Sequence, residues 1–481
     1  MLKLSTLFLI IVFISQIIPQ QEFIAVKNSK FYLGNSEFRF LGFNAYYLQS
    51  IYSDSTKKHF IDDVFNTAKD YGFKVIRTWA FNDSDSENAR GVIRYSPYRY
   101  SEEGLKALDY ILLKANEFGI KIILTLENNQ KDFGGIPQYL KWADKYLNNN
   151  NYTQEDFFTN DSIKAWYKNY LSVILNRRNS FTKILYKNDP AVFSFELMNE
   201  AENPNENYRV IMNWYDEMSA YFKSIDSNHL LSTGEIGYDV SGDHYSNIDL
   251  FYNSSYFLFN GYKGTSYYFN SALKNIDYTS FHLYAEAWQM NNIAGNTWIN
   301  DHANISASFG KTALLGEFGT QNEKVKFYKE YLEMIKNSGS DAAIVWQYVP
   351  PGLNINDGYQ FNEIEDTALF SVFENFISNL YSDSTNISPN TPAGFYLFQN
   401  YPNPFNPATT IKYAISKPQF IEIDLYNSIG QRIGILEKGF KNKGEYRLDL
   451  SFNNHLLGTG IYFYRIKGEY TTEVKKMILL K

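Results

Sequence analysis

Apolar positions in residues 38–349 follow two patterns that alternate along the chain. Short, almost continuous apolar runs are typical of strands buried on both faces, whereas longer stretches with apolar residues three and four apart are typical of one-sided helices. The strand-like runs are residues 39–47, 74–81, 121–126, 192–197, 230–233, 278–283, 312–315 and 342–347. The helix-like stretches between them include residues 58–71, 104–118, 162–176, 208–224 and 323–338.

Eight strand-like runs with helices between them predict an α/β fold, a (β/α)8 TIM barrel. A doubly wound open sheet is the main alternative, but no glycine-rich dinucleotide loop follows the first strand. Polar and aromatic residues stand at the carboxyl ends of successive strands, where barrel enzymes carry their active sites. These residues are Asn44, Arg77, Trp79, Asn128, Asn199, Glu200, Glu235, His282, Tyr284, Glu317 and Trp346.

The two ends of the chain have different patterns from the barrel. Residues 382–394 are rich in Ser, Thr, Asn and Pro and predict a linker. Beyond them, short alternating segments predict a small all-β, Ig-like sandwich over residues 395–481. They are residues 410–415, 420–426, 445–450, 460–466 and 471–480.

At the amino terminus, Lys3 is followed by an uncharged apolar stretch from Leu4 to Ile18. This pattern predicts a secretory signal peptide over residues 1–20, and an uncleaved membrane anchor is the alternative. The catalytic domain is then expected over residues 21–381.

Composition narrows the function further. The net charge of −7 and the lack of a Lys/Arg run argue against a nucleic-acid partner. Cysteine is absent, which excludes disulfides and thiolate metal sites. The six histidines form no His-x-x-x-His pair, so we expect neither a catalytic metal nor another cofactor.

Two of the apolar runs lead directly into glutamates, Glu200 and Glu317. A carboxylate at the end of a buried strand costs stability unless a partner compensates its charge, so such a residue points to chemistry. Hydrolysis of a glycosidic bond needs two carboxyl groups, one to protonate the leaving oxygen and one to attack or to activate water. The pair therefore predicts a glycosidase.

Four segments together resemble glycoside hydrolase family 5. They are residues 75–81 (VIRTWAF), 197–200 (LMNE), 281–284 (FHLY) and 315–319 (LGEFG). The form RTWAF, residues 186–190 (YKNDP) and the Asn128-Asn129 pair are most similar to its endo-β-1,4-mannanase branch. The resemblance spans about residues 31–347, nearly the whole barrel.

The resemblance implies a retaining mechanism in which Glu200 is the general acid/base and Glu317 is the nucleophile. Arg77 would keep Glu317 ionised, and Asn199 would bind the sugar 2-hydroxyl. The further implied cleft residues are Tyr284 beside the nucleophile, His282 beside the acid/base, Asn128 in the paired-asparagine loop, Trp346 as the sugar platform, Trp79 and Trp288 as its extensions, and Glu235. For Glu235, a helix-capping or loop-ordering role is an equal alternative.

The tail resembles a second family, the type IX secretion sorting domains. The similarity lies in residues 397–407 (LFQNYPNPFNP), 460–464 (GIYFY) and 475–481 (KKMILLK). It implies export through the periplasm, a secretion machinery as partner, and a secreted or cell-surface protein. An ordinary carbohydrate-binding sandwich is the alternative.

Together these features predict an endo-acting retaining hydrolase of β-1,4-mannosidic bonds in mannan, glucomannan or galactomannan. A β-1,4-glucanase on the same scaffold and a non-catalytic surface glycan-binding protein are the alternatives. Gln130 stands where the family often has tryptophan, and Ala285-Glu286 stands where it has Pro-Asp. These departures in substrate loops leave the exact polysaccharide open. We expect a monomer.

Overall fold

The computed structural model describes residues 22–480 except 88, 148–150, 247, 252–254, 339, 341, 383–394, 416–418, 443, 453–456 and 469–471. The chain divides into two compact units between Asp383 and Ser384. The predicted signal peptide, and the predicted linker beyond residue 382, lie outside the described residues. Among the described residues, no helix has the length and apolar character needed to cross a bilayer.

The first unit consists of helices and mostly parallel strands. Its strands are β1 (Ile24–Lys27), β2 (Lys30–Leu33), β3 (Ser36–Glu37), β4 (Phe40–Asn44), β5 (Val75–Trp79), β6 (Arg94–Ser96), β7 (Arg99–Tyr100), β8 (Lys121–Thr125), β9 (Val192–Glu196), β10 (Leu230–Ser232), β11 (Thr279–Leu283), β12 (Ala313–Phe318) and β13 (Ala342–Val345). Its helices are α1 (Leu48–Ile51), α2 (His59–Asp70), α3 (Glu102–Phe118), α4 (Gly135–Tyr146), α5 (Gln154–Thr159), α6 (Asp161–Asn176), α7 (Tyr208–Ile225), α8 (Tyr267–Ser271), α9 (Asn292–Ser308), α10 (Lys324–Ser338) and α11 (Thr367–Ser382).

Eight of these strands form one parallel sheet in the order β10-β9-β8-β5-β4-β13-β12-β11. The segments that contain its two edge strands, β10 and β11, are connected by two backbone hydrogen bonds. The amide of Asp277 donates to the carbonyl of Leu231 at 2.9 Å, and the amide of His282 donates to the carbonyl of Ile236 at 2.8 Å. These bonds close the sheet, and the predicted TIM barrel is confirmed.

The amino-terminal hairpin of β1 and β2 covers one end of the barrel. The ring of Phe31 packs at centroid distances of 5.1 Å from Phe193 and 5.3 Å from Tyr278. Because these partners lie among the interior residues of the strands, this end of the barrel is filled by side chains. The carboxyl ends of the strands remain as the mouth, where barrel active sites lie.

Local sequence explains the helix boundaries where caps are present. In α3, the Ser101 hydroxyl accepts a hydrogen bond from the Gly104 amide, and Gly119 ends the helix with φ +69°. Leu105, Leu108 and Leu112 are buried at helical spacing. Helix α9 was not predicted from the sequence, because polar residues are also buried on it and blur the one-sided pattern.

The second unit contains two antiparallel sheets, in the orders β14-β15-β18 and β17-β16-β19-β20. Its strands are β14 (Phe395–Leu397), β15 (Ala408–Ile415), β16 (Gln419–Asn427), β17 (Arg432–Lys441), β18 (Gly444–Ser451), β19 (Gly460–Lys467) and β20 (Thr472–Leu479). Both sheets contribute to one core, which confirms the predicted β-sandwich. Strand β17 was not predicted, because none of its residues is fully buried and its apolar residues Ile433, Ile435 and Phe440 are exposed, so no apolar buried face marks the strand.

Candidate active site

Glu200 and Glu317 come together at the mouth of the barrel. Glu317 lies within β12, whereas Glu200 lies in the turn after β9 with a left-handed φ of 55°. The Glu200 amide donates to the carbonyl of Gly234 at 2.9 Å, which fixes this turn to the next strand connection. One carboxyl oxygen from each glutamate and one ring nitrogen of His282 all lie within 4.8 Å of one another.

Arg77 is completely buried and organises the floor of the site. Its guanidinium donates to Oε1 of Glu317 at 2.5 Å, to Oε2 of Glu196 at 2.7 Å and to Oδ1 of Asn199 at 2.8 Å. Burial opposes the charge of Arg77, but the carboxylates of Glu196 and Glu317 hold its pKa above the usual value. The positive charge therefore stays in place beneath Glu317.

Glu317 is 3% exposed. Its Oε1 accepts from Arg77, and its Oε2 accepts from the Tyr284 hydroxyl at 2.7 Å. Burial raises the pKa of Glu317, while the charge of Arg77 and the Tyr284 hydrogen bond oppose the rise. A carboxylate held by two donors on fixed strands is positioned for attack and has little freedom to turn away.

Glu200 has a different environment. Its Oε1 lies 2.8 Å from Nδ1 of His282, and its side chain remains 21% exposed toward solvent. Burial raises the pKa of Glu200 to about 7, against the charges of Arg77 and Lys263. Burial also lowers the pKa of His282 to about 4, so this imidazole is neutral near pH 7. A carboxyl group with such a pKa can donate a proton and later accept one.

Asn199 and Asn128 lie side by side. The Asn199 amide group donates from Nδ2 to Oδ1 of Asn128 at 3.2 Å and accepts from Arg77 at Oδ1. The two residues also form a backbone bridge between the connections that follow β8 and β9. The side chain of Asn199 is thereby held in one orientation beside Glu200.

An aromatic cluster lies at the carboxyl end of β13, where Trp346 follows the strand. The indole of Trp346 stacks on the ring of Tyr46 at 5.4 Å with an interplanar angle of 5°, and Tyr46 in turn packs on Trp79 at 4.7 Å. The indole nitrogen of Trp346 donates to Oδ2 of Asp357 at 2.7 Å. A half-buried, oriented indole at the mouth presents an apolar surface on which a sugar ring can stack.

One protein family matches the part of the chain that contains most of the barrel and of this site. Residues 21–343 match the family model described as GH family 5 beta-mannosidase-like. The chain belongs to glycoside hydrolase family 5. Residues 399–480 match the model described as a secretion system C-terminal sorting domain, so the tail belongs to the type IX sorting domains.

Individual family 5 proteins are similar over most of their length. Mannan endo-1,4-beta-mannosidase 7 of Arabidopsis thaliana is 33% identical, over 71% of this chain and 81% of the relative. Mannan endo-1,4-beta-mannosidase 4 of Solanum lycopersicum is 32% identical, over 70% of this chain and 86% of the relative. The structure of the endo-1,4-beta-mannanase from Rhizomucor miehei has a TM-score of 0.65 at 29% identity, over 75% of this chain and 99% of that one.

Trp79 and Glu235, also predicted for the cleft of this family 5 glycosidase, are buried like Arg77 and His282. Trp79 is 5% exposed and packs between Tyr46 and Phe81. Glu235 is 1% exposed and accepts hydrogen bonds from Thr233 at 2.8 Å and Asn270 at 3.0 Å. The contacts of Glu235 tie the end of β10 to the long connection before β11, which agrees with its loop-ordering alternative. Burial raises the pKa of Glu235 to about 7.

Trp288 is half-buried, with its ring 6.2 Å from that of Tyr284. The structure thus brings together Glu200, Glu317, Arg77, Asn199, Asn128, His282 and Tyr284 by direct contacts, with Trp346 and Trp288 at the rims.

Several residues of the site were not found from the sequence. Glu196 forms the second ion pair of Arg77, and its signal was a glutamate inside an otherwise apolar strand. Tyr46 and Asp357 position Trp346, but they come from connecting segments without periodicity. Lys263 and Tyr238 lie in the long connection between β10 and β11, where composition alone marks no single residue.

Glu200, His282 and Glu317 are the described residues of this site that can hold a metal ion together, because each offers one ligand atom within 4.8 Å of the others. Imidazole nitrogen and carboxylate oxygen are ligands that zinc accepts. Nδ1 of His282 already lies 2.8 Å from Glu200 and 3.6 Å from Glu317, and Tyr284 donates to Glu317, so the arrangement also suits acid–base chemistry without a metal.

Proposed function

We propose that this chain hydrolyses internal β-1,4-mannosidic bonds of mannan, glucomannan or galactomannan with retention of configuration. The observation that carries the proposal is the approach of the Glu200 and Glu317 carboxyl oxygens to within 4.8 Å. Retaining glycosidases have carboxyl groups roughly 5–5.5 Å apart, whereas inverting enzymes need roughly 6.5–9.5 Å to admit a water molecule. The mannan specificity rests on the family membership and on the relatives, which carry the name mannan endo-1,4-beta-mannosidase.

In the first step, a carboxylate oxygen of Glu317 attacks the anomeric carbon while Glu200 gives its proton to the glycosidic oxygen. The bond from the anomeric carbon to that oxygen breaks, and an ester between the sugar and Glu317 forms. Asn199, held by Arg77 and Asn128, donates to the sugar 2-hydroxyl, and Trp346 supports the sugar ring. These contacts strengthen as positive charge develops on the ring.

In the second step, Glu200 takes a proton from water, and the resulting hydroxide-like oxygen attacks the anomeric carbon. The ester bond breaks and Glu317 leaves as a carboxylate. Esterification removes the charge of Glu317 during this step, and loss of a neighbouring negative charge lowers the pKa of a carboxyl group. Glu200 is therefore an acid before the intermediate forms and a base afterwards.

The direct test compares reducing-sugar release from mannan and from carboxymethylcellulose. We expect activity on mannan, with proton NMR showing the β-anomer as the first product. Cleavage of carboxymethylcellulose alone would establish the glucanase alternative. Glycan binding without cleavage, identical in wild type and Glu317→Gln, would establish the non-catalytic alternative.

The role of Glu200 has its own test. With an activated aryl mannoside, Glu200→Ala still forms the ester on Glu317, because the leaving group needs no proton. External azide then attacks the intermediate, so we expect azide to restore turnover and to yield a β-mannosyl azide. Glu317→Ala is the matched control, since without the nucleophile azide cannot give a product of retained configuration.

For localisation, the sorting domain implies type IX secretion to an extracellular or cell-surface position. We extend this to export through the periplasm by a signal peptide at residues 1–20, with a catalytic domain at 21–381, a linker at 382–394 and a tail at 395–481. Deletion of residues 395–481 should leave active enzyme in the periplasmic fraction. Undiminished secretion of the truncated protein would contradict this assignment.

A further inference from the structure

The connection between β10 and β11 is long, and one ion pair anchors it beside the site. Nζ of Lys263 lies 3.0 Å from both carboxyl oxygens of Glu202. Glu202 stands two residues after Glu200, so the pair is attached to the backbone turn that carries the proposed acid/base. The two side chains are 26% and 19% exposed, so both still reach solvent.

Backbone contacts fix the same two segments to each other. The Asn203 amide donates to the carbonyl of Lys263 at 2.9 Å. Gly264 follows with φ +59°, and a Cβ there would lie 2.1 Å from the carbonyl oxygen of Asn203. Only glycine allows this approach. On its other side, Glu202 donates its amide to Oδ1 of Asn129 at 3.2 Å.

Aromatic residues connect the ion pair with the rest of the cleft. Nζ of Lys263 lies 5.4 Å from the ring centroid of Tyr238, and the ring of Tyr238 lies 6.2 Å from that of Trp288. Trp288 in turn contacts Tyr284, which donates to Glu317. The ion pair is thus one end of a chain of contacts that runs to Glu317.

We propose that Lys263, held by Glu202, determines binding of the sugars on the leaving-group side of the scissile bond. This inference rests on the proposed function. Glu200 protonates the leaving oxygen, so groups attached to its turn face the departing chain rather than the sugar that becomes bound to Glu317. An ammonium group has three protons, and the Glu202 carboxylate occupies two of them. The third is available to a hydroxyl of a leaving sugar.

The experiment compares Lys263→Met with Lys263→Arg on two substrates. One is mannan, and the other is a nitrophenyl β-mannobioside whose leaving group carries no sugar. A hydrogen bond to a charged group corresponds to a factor of about 10–100 in kcat/KM. We expect the loss in Lys263→Met to be larger on mannan than on the aryl substrate by this factor. Lys263→Arg should recover most of the difference.

Lys326→Met, at an exposed position of α10, is the control for removal of a lysine charge. Glu202→Gln provides a second variant, in which Lys263 loses its anchor and the mannan-specific KM should rise. If Lys263→Met lost kcat/KM equally on both substrates, so that the wild-type ratio of mannan to aryl-substrate activity were kept, the inference would be overturned. A wild-type protein that cleaves the aryl substrate but not mannan would instead overturn the proposed function.

Discussion

Nη1 of Arg77 lies 2.5 Å from Oε1 of Glu317, and both side chains are almost fully removed from solvent. The same guanidinium binds Glu196 and Asn199, so one planar group sets the position of the proposed nucleophile and of the residue proposed to bind the sugar 2-hydroxyl. Buried ion pairs often add little net stability, but removal of one partner leaves an uncompensated charge. Arg77 is therefore required both for the geometry and for the charge balance of the site.

We expect that lysine cannot take over the function of Arg77. Its single ammonium nitrogen cannot reach Glu196, Glu317 and Asn199 at the same time, although the charge is kept. We expect Arg77→Lys to lower kcat by at least about 100-fold, the cost of losing an oriented donor at a reacting centre. Arg99→Lys, at a 59% exposed surface ion pair, is the matched control. Retention of most activity by Arg77→Lys would show that charge alone suffices.

Arg77→Met tests the structural part of the same relationship. Removal of the Arg77 guanidinium leaves Glu196 and Glu317 buried without a cation, which should reduce the free energy of unfolding by about 3–5 kcal/mol. Urea unfolding followed by circular dichroism measures the change. A loss below about 1 kcal/mol would mean that water or protonation compensates the two carboxylates.

The sequence allowed the barrel and the catalytic core to be predicted for a simple reason. Buried parallel strands require apolar runs, so Glu200 and Glu317 were conspicuous where such runs ended. Arg77, His282 and Tyr284 were identified by their motifs, and the fold brings them together as expected. The chemical roles of these residues stay predictions until variants are measured.

The parts that the sequence did not predict depend on contacts between distant segments. The connection that carries Lys263 has no periodicity, and its pairing with Glu202 appears only after the barrel closes. Glu235 illustrates the opposite case, because its motif suggested the cleft while the fold buries it against Thr233 and Asn270. A strand end identifies the mouth of the barrel but does not determine which way a side chain points.

The alkaline limb of kcat/KM should report Glu200. Burial raises the pKa of Glu200 to about 7, and the first step needs its protonated form. Activity should therefore fall about tenfold per pH unit above this value. The pKa of Glu235 is raised to a similar value, but its carboxyl group accepts hydrogen bonds from Thr233 and Asn270, so Glu235→Gln should leave the midpoint of the limb in place. A shift of more than one unit in that variant would reassign the limb.

The raised pKa of Glu127 should affect the stability of the protein rather than catalysis. Glu127 shares Arg94 with Asp83 in a buried cluster behind Asn128, and burial together with the Asp83 charge raises the pKa of Glu127 to about 8. The folded state thus keeps a proton that the unfolded chain loses from about pH 4.5 upward. The free energy of unfolding should fall between pH 5 and 8, by up to about 1.4 kcal/mol per pH unit from this group.

Glu127→Gln removes that proton, so its unfolding free energy should fall less steeply over the same range. Glutamine has only one side-chain oxygen and cannot accept both hydrogen bonds that Glu127 accepts, so the substitution also changes the unfolding free energy itself. The readout is therefore the slope of the unfolding free energy against pH. Glu103→Gln, at an exposed position of α3, is the control. An unchanged slope in Glu127→Gln would place the shared proton on Asp83 instead.

Zinc should inhibit the enzyme at the reacting groups themselves. The ligand atoms of Glu200, His282 and Glu317 lie within 4.8 Å of one another, and His282 is neutral near pH 7 and so can bind a metal. Zinc needs the ionised form of Glu200, so inhibition should be stronger at pH 8 than at pH 6 and competitive with mannan. Magnesium, which prefers six oxygen ligands, should have little effect.

Chelation with EDTA should leave the rate unchanged, because the two glutamates carry out the proposed reaction alone. Inactivation by EDTA would show that the reaction needs a bound metal, and zinc inhibition that mannan does not relieve would show that zinc binds elsewhere.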